Sequence, residues 1–120
     1  MFPTPKDPFR IEETDLRVAV YLMPGEGKTG TLEHLLLDAV FAKTENLLDC
    51  LDKFSTCTGA LRSAKPNQLA KMRMSVLAAA FCEDNPWCSA NTMWSDDNNP
   101  VPINSTCFDD IGNFLTKFTS

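Results

Sequence analysis

The hydrophobic pattern of this chain holds one continuous apolar run and several helical stripes, and the continuous run comes first. Residues 17–23 read Arg-Val-Ala-Val-Tyr-Leu-Met, apolar at nearly every position. A run of that length without alternation predicts a strand covered on both faces. Residues 9–13 carry a weaker pattern of the same kind, and the polar pair Thr14-Asp15 between the two predicts a hairpin with the second arm inside. Upstream, residues 1–8 hold three prolines and little that could pack, so they read as an extended N-terminal arm.

Residues 24–30 contain three glycines and a proline, the composition of a loop. A helix is expected after it: Thr31 is placed to cap, Glu33 sits in the first turn, and Leu32, Leu35, Leu36, Ala39 and Val40 make an apolar stripe. Leu47, Leu48, Leu51 and Phe54 resume the spacing beyond a polar stretch at 43–46, which fits two helices or one kinked helix ending before the Ser-Thr-Cys-Thr-Gly59 turn. Ser63 and Pro66 open a third helix with Leu69, Met72, Val76 and Ala80 on one face. Residues 82–102 form the longest loop, and its Trp87, Met93 and Trp94 are expected to find apolar seats on the body. Ser105 or Thr106 caps a last helix whose Phe108, Ile111, Phe114, Leu115 and Phe118 share a face. The expected fold is α/β, a single domain over 1–120: a small sheet, the hairpin with its one buried strand, covered by about four helices. So small a sheet leaves edges open, which predicts a homo-oligomer or a protein partner pairing there.

Charge narrows the partners. With 11 basic and 16 acidic residues the chain carries a net charge of -5. That balance disfavours nucleic acid for this chain alone, because duplex binding rests on neutralising phosphates, and it disfavours anionic membranes for the same reason. No apolar run approaches the ~20 residues of a spanning helix, and the opening Met-Phe-Pro-Thr-Pro-Lys lacks the basic and apolar regions of a signal peptide. A cytoplasmic location is expected. Asn104-Ser-Thr matches a glycosylation acceptor, which has no bearing there.

Five cysteines, an odd number with no Cys-x-x-Cys, support neither a disulfide framework nor a zinc site. Cys50 reads as a small buried hydrophobe, whereas Cys82 and Cys88 flank a turn and read as exposed, with no neighbouring base to activate a thiol. His34 is the single histidine, so no nucleophile has a paired base in prospect.

The most suggestive chemistry is Gly25-Glu-Gly27-Lys28-Thr29, between a strand and a helix as in phosphate-binding loops. The full pattern needs a glycine five positions before Gly27, where this chain has Leu22, and Gly30 and Thr31 separate Lys28 from the helix. Gly27, Lys28, Thr29 and Thr31 are therefore candidates for anion binding at the helix start rather than for a nucleotide cradle. Glu26 and Glu33 bracket the loop and are the candidate metal ligands, yet two-metal chemistry draws on several converging carboxylates and no Asp-x-Asp occurs. No catalytic residue is assigned.

Val18-Ala-Val-Tyr-Leu-Met-Pro24, Gly30-Thr-Leu-Glu33 and Leu35-Leu36-Leu37 together resemble an uncharacterised prokaryotic family with a Toprim-like fold, akin to the overcoming-lysogenisation-defect nucleases. The resemblance covers that family's C-terminal half. It implies a metal-dependent lineage using magnesium or manganese, with the early Glu and the Asp-x-Asp in the other half and Glu33 an accessory acidic group. The family's turn Asp and Asn are Gly25 and Glu26 here. The function expected is a noncatalytic accessory or interaction domain. The alternatives are a Toprim-like nucleic-acid enzyme completed by a partner chain, or phosphate or nucleotide binding at the 25–31 loop.

Overall fold

The computed structural model describes residues 7–13, 17–60 and 65–120. Two short strands, β1 (Ile11–Glu13) and β2 (Arg17–Ala19), precede the helices α1 (Leu32–Lys43), α2 (Asn46–Thr58), α3 (Pro66–Phe81), the single turn α4 (Ala90–Met93) and α5 (Asp109–Thr119). The class is α/β: a two-stranded antiparallel hairpin and four full helices. The Thr14-Asp15 turn, the Ser63 helix start and most of the N-terminal arm lie outside the described residues.

The core belongs to the helices. Leu36, Leu37, Ala39 and Val40 of α1, Leu51 of α2, and Ala70, Met74, Leu77 and Ala78 of α3 form one buried cluster, which Cys82, Met93 and Val101 complete from the long loop. Arg73 of α3 bonds Asp52 of α2 at 2.5 Å, pinning the two helices together. α1 and α2 are separate helices: α1 ends at Thr44, whose N–H reaches the Val40 carbonyl. Gly59 closes α2 in the left-handed conformation at φ 74, its N–H on the carbonyls of Ser55 and Thr56, a conformation that favours glycine. Pro66 occupies the first turn of α3, where its missing N–H has no helical partner to lose.

Several sequence expectations are corrected. The 17–23 run is not an interior strand: β2 is three residues long, pairs with β1 alone among the described residues, and is followed by Leu22 at 53% exposure. A run of β-favouring residues marks extended chain, and only neighbouring strands decide whether it is enclosed. The inward stripe of α3 is Ala70, Met74, Leu77 and Ala78 rather than Leu69, Met72, Val76 and Ala80. Its second half is apolar on nearly every side, so periodicity has little to discriminate there. In α1 the inward set adds Leu37 and loses Leu32, which is exposed. On α2, Leu48 and Phe54 are exposed and Ser55 is buried, its hydroxyl donating to the Leu51 carbonyl at 2.9 Å. Cys50 is exposed and Cys82 is buried, the reverse of the expectation for each. Of the large residues in the long loop only Met93 is enclosed, while Trp87 stands 90% exposed.

The hairpin and α5 form a second, thinner layer. In the register, Ile11 faces Ala19, and beyond it the Phe9 N–H donates to the Val20 carbonyl at 2.6 Å. Phe9 and Tyr21 meet edge-on with ring centroids 4.9 Å apart, and Phe114 of α5 lies against Tyr21 at 5.2 Å. Arg17 reaches the other end of α5, donating to the carbonyls of Lys117 at 3.0 Å and Ser120 at 2.6 Å, and lies over the Phe118 ring. A cation there satisfies carbonyls left over at the helix end and meets the negative pole of its dipole. α5 is the most sharply two-faced helix of the chain, yet none of its residues is fully buried. The chain measures 54 × 33 × 27 Å with a radius of gyration of 16.9 Å, against about 14 Å for a compact domain of this length.

Candidate functional site

Between the hairpin, the glycine loop and α5 lies a cleft of about 280 Å³, lined chiefly by Phe9, Arg10, Tyr21, Glu26, Asp110 and Lys117. Strand geometry aims the first part of it. Side chains two residues apart on a strand share a face, so Phe9 and Ile11 point to the side that α5 covers. On α5, Asp110, Asn113, Phe114 and Lys117 follow one another at intervals of three, one and three residues and so form a single stripe facing the hairpin. The stripe runs along the extended chain of the second arm. The four steps of extended chain from Arg17 to Tyr21 span about 13 Å, and the seven helical steps from Asp110 to Lys117 about 10 Å, so both clamps engage at once.

Tyr21 and Asp110 hold the floor. The phenol donates to Asp110 Oδ2 at 2.8 Å. Burial, then this hydrogen bond and the carboxylate's charge, push the Tyr21 phenol from 10.0 up to about 12, so it stays a neutral donor and offers no phenolate nucleophile. Gly25 closes in on the pair: a Cβ there would sit 3.1 Å from both Asp110 Oδ2 and the Tyr21 hydroxyl, with φ at +149°. The same cleft is lined by the cations Arg10 and Lys117, the acids Glu26 and Asp110, and the rings of Phe9, Tyr21 and Phe114. The cleft thus combines charges of both signs with aromatic surface.

The residues singled out from sequence are divided by the structure. Glu26 lines the cleft, whereas Glu33 belongs to the start of α1, where a hydrogen bond from Thr31 holds its carboxyl below the ordinary range; burial opposes that shift, and Lys71 and His34 add to it. Among the described residues no three His, Cys, Asp or Glu side chains are placed to hold a metal ion, and Glu26 and Glu33 sit on different elements. Gly27, Lys28 and Thr29 are exposed on a turn closed by the Lys28 N–H on the Gly25 carbonyl at 3.1 Å, with Gly27 at φ 74.

Thr31 is engaged by His34. The Thr31 N–H donates to His34 Nδ1 at 3.0 Å, the His34 N–H reaches the Thr31 carbonyl at 3.1 Å, and the Thr31 hydroxyl lies 3.1 Å from the same ring nitrogen. His34 thus plays the reciprocal part of a capping box, ordinarily taken by Glu or Gln. Gly30, at φ +129°, makes room: a Cβ would come within 2.7 Å of the ring. The backbone donors of Lys28, Thr31 and His34 are each engaged within the chain.

Sequence reasoning missed Tyr21, Asp110, Arg10 and Lys117 as a group. The signal was present in part, because 110, 113, 114 and 117 share one helical stripe beside the apolar one. What places that stripe over residues 9–21 is a pairing of chain ends about 90 residues apart.

No family model matches the chain, and no curated protein or solved structure matches it. Among the described residues no helix is long and apolar enough to cross a membrane.

Proposed function

We propose that this chain is a noncatalytic interaction domain that associates with a second copy of itself through the hairpin and the outer face of α5. The observation that carries the reading is the state of α5: its apolar stripe is the sharpest in the chain, yet Ile111, Phe114 and Phe118 are only half-buried and Leu115 is 54% exposed. A helix so patterned is usually covered along its stripe. The surface area agrees with that. The chain exposes 8395 Å², about 1,900 Å² more than a compact monomer of its mass, and a stable dimer needs only about 800 Å² from each partner. The edges of β1 and β2 lie alongside, and pairing one edge with its own copy about a two-fold axis would extend the sheet and bring two copies of α5 together.

Light scattering on the size-exclusion peak, at micromolar concentration, tests this. A dimer is expected, with Leu115→Glu monomeric and still folded, since an exposed position tolerates the charge. Because each copy carries -5, added salt is expected to strengthen the dimer by screening that repulsion. A wild-type chain that is a strict monomer at every concentration overturns the proposal. In the same preparation, millimolar magnesium or manganese is expected to leave the melting temperature unchanged. A shift that Glu33→Ala abolishes would favour the metal-dependent Toprim-like alternative instead.

A further inference from the structure

Two of the five cysteines converge where α3 ends. Cys82 is fully buried in the helical core, and its N–H donates to the Ala78 carbonyl at 2.9 Å. The Cys88 sulfur lies 4.0 Å from that same carbonyl oxygen. Two successive turns bring the chain back to it: the Asn85 N–H donates to the Cys82 carbonyl at 3.0 Å, and the Cys88 N–H to the Asn85 carbonyl at 2.9 Å. Both side chains pack on one apolar cluster, Cys82 within it and Cys88 on its rim.

We propose that Cys82 and Cys88 are a reversible dithiol and disulfide pair, closed by exchange with a small-molecule disulfide of the glutathione class. Both residues converge on the Ala78 carbonyl, and the neighbouring Cys88 thiol, with burial and the nearby Asp96 carboxylate, pushes the Cys82 thiol up to about 11. The roles follow from access. Cys88, half-exposed, is the entry point: its thiolate attacks one sulfur of the reagent, forms a mixed disulfide and expels the first thiol. Cys82, which no reagent can reach, then attacks the Cys88 sulfur, gives up its proton and expels the second thiol. The protein loses two electrons and two protons, and one small disulfide becomes two thiols. Cys50 and Cys57 provide a contrast within the chain. Both are exposed on α2, two turns and about 10 Å apart along the axis, beyond the Cα separation of about 7 Å that a disulfide spans.

The experiment equilibrates the native full chain with oxidised glutathione, quenches with acid, alkylates and cleaves at Glu83 or Asp84 between the two cysteines. Mass spectrometry is expected to find the 82 and 88 fragments joined, two hydrogens lighter and free of glutathione, while Cys50 and Cys57 each retain a glutathione adduct. Dithiothreitol reverses both. In Cys82→Ala, checked for helix content by circular dichroism, the adduct is trapped on Cys88. The wild-type result decides without the variant. A Cys82 still free and alkylated with glutathione held on Cys88, or a crosslink from either residue to Cys107, overturns the proposal.

Discussion

The helical core and the layer of hairpin and α5 are built from similarly apolar sequence, and they end in opposite states. In α1 five residues are buried although its apolar residues are spread around much of the helix, whereas α5 has the cleanest two-faced pattern and buries none completely. Amphipathic pattern says which side of a helix wants covering. Whether that side is covered depends on how many elements surround it: α1 packs against α2 and α3, whereas the two-faced stripe of α5 meets chiefly a hairpin of two three-residue strands. The core is held by packing; the outer layer hangs on two clamps, Tyr21 to Asp110 and Arg17 to the last carbonyls of α5.

The largest effect that would sharpen this contrast is a cavity in the core. Leu77→Ala, at a position 2% exposed, is expected to cost about 2–5 kcal/mol, read as a fall in the urea midpoint that helix circular dichroism and every protected amide follow together. Phe114→Ala should behave differently, speeding hydrogen exchange in 9–21 and 109–119 while α1 to α3 stay protected; equal loss everywhere would show that the layers are one cooperative unit. Next comes Gly30→Ala, which forces a side chain into the left-handed region and against the His34 ring. A loss of about 1–3 kcal/mol is expected, and pairing it with His34→Ala, which removes the obstructing ring, should recover part of it.

Arg17→Ala is a smaller break. It is expected to cost about 1 kcal/mol and to fray the end of α5, seen as faster exchange from Phe114 onward, with α1 unaffected. The finest test concerns the other clamp. Tyr21 is the chain's one tyrosine, so phenolate absorbance reports it alone. Its pKa is raised on folding from 10.0 to about 12, which sets the sign: the clamp contributes its full stability below about pH 10 and loses it as the pH climbs toward 12. Asp110→Asn should bring the midpoint back toward 10 while leaving the core's urea midpoint nearly unchanged.

Much of the core is legible in the sequence, and the failures have a common cause. Leu35, Leu36, Ala39, Val40 and Leu51 follow from helical spacing, and Thr31 at the start of α1 follows from local chemistry. Of the two cap candidates before the last helix, Ser105 accepts from the Cys107 N–H, one short turn ahead of α5, and α2 runs on to Thr58, through the 55–59 segment expected as a turn. The inward face of α3 is not legible in this way, since a helix apolar on several sides takes its orientation from its neighbours. The interior reading of 17–23 failed for the same reason. Nor does helical spacing assign His34 its part in the cap, which the glycine and threonine just before it allow by letting the ring fold back on its own helix start. The cleft needed the meeting of residues 9–26 with 110–117, and no local rule anticipates that.

The exposure of Trp87 makes the long loop optically addressable. An indole that stands in water emits at the long-wavelength end of the tryptophan range and is open to collisional quenchers, whereas Trp94, 44% exposed, is partly shielded from both. Trp87 also directly precedes Cys88 in sequence, and a disulfide is an efficient electron acceptor from an excited indole. Closing the Cys82 and Cys88 pair should therefore dim the fluorescence from one end of α3 while the helices beneath keep their ellipticity, so that the redox state of the chain could be followed by eye of the fluorimeter in real time.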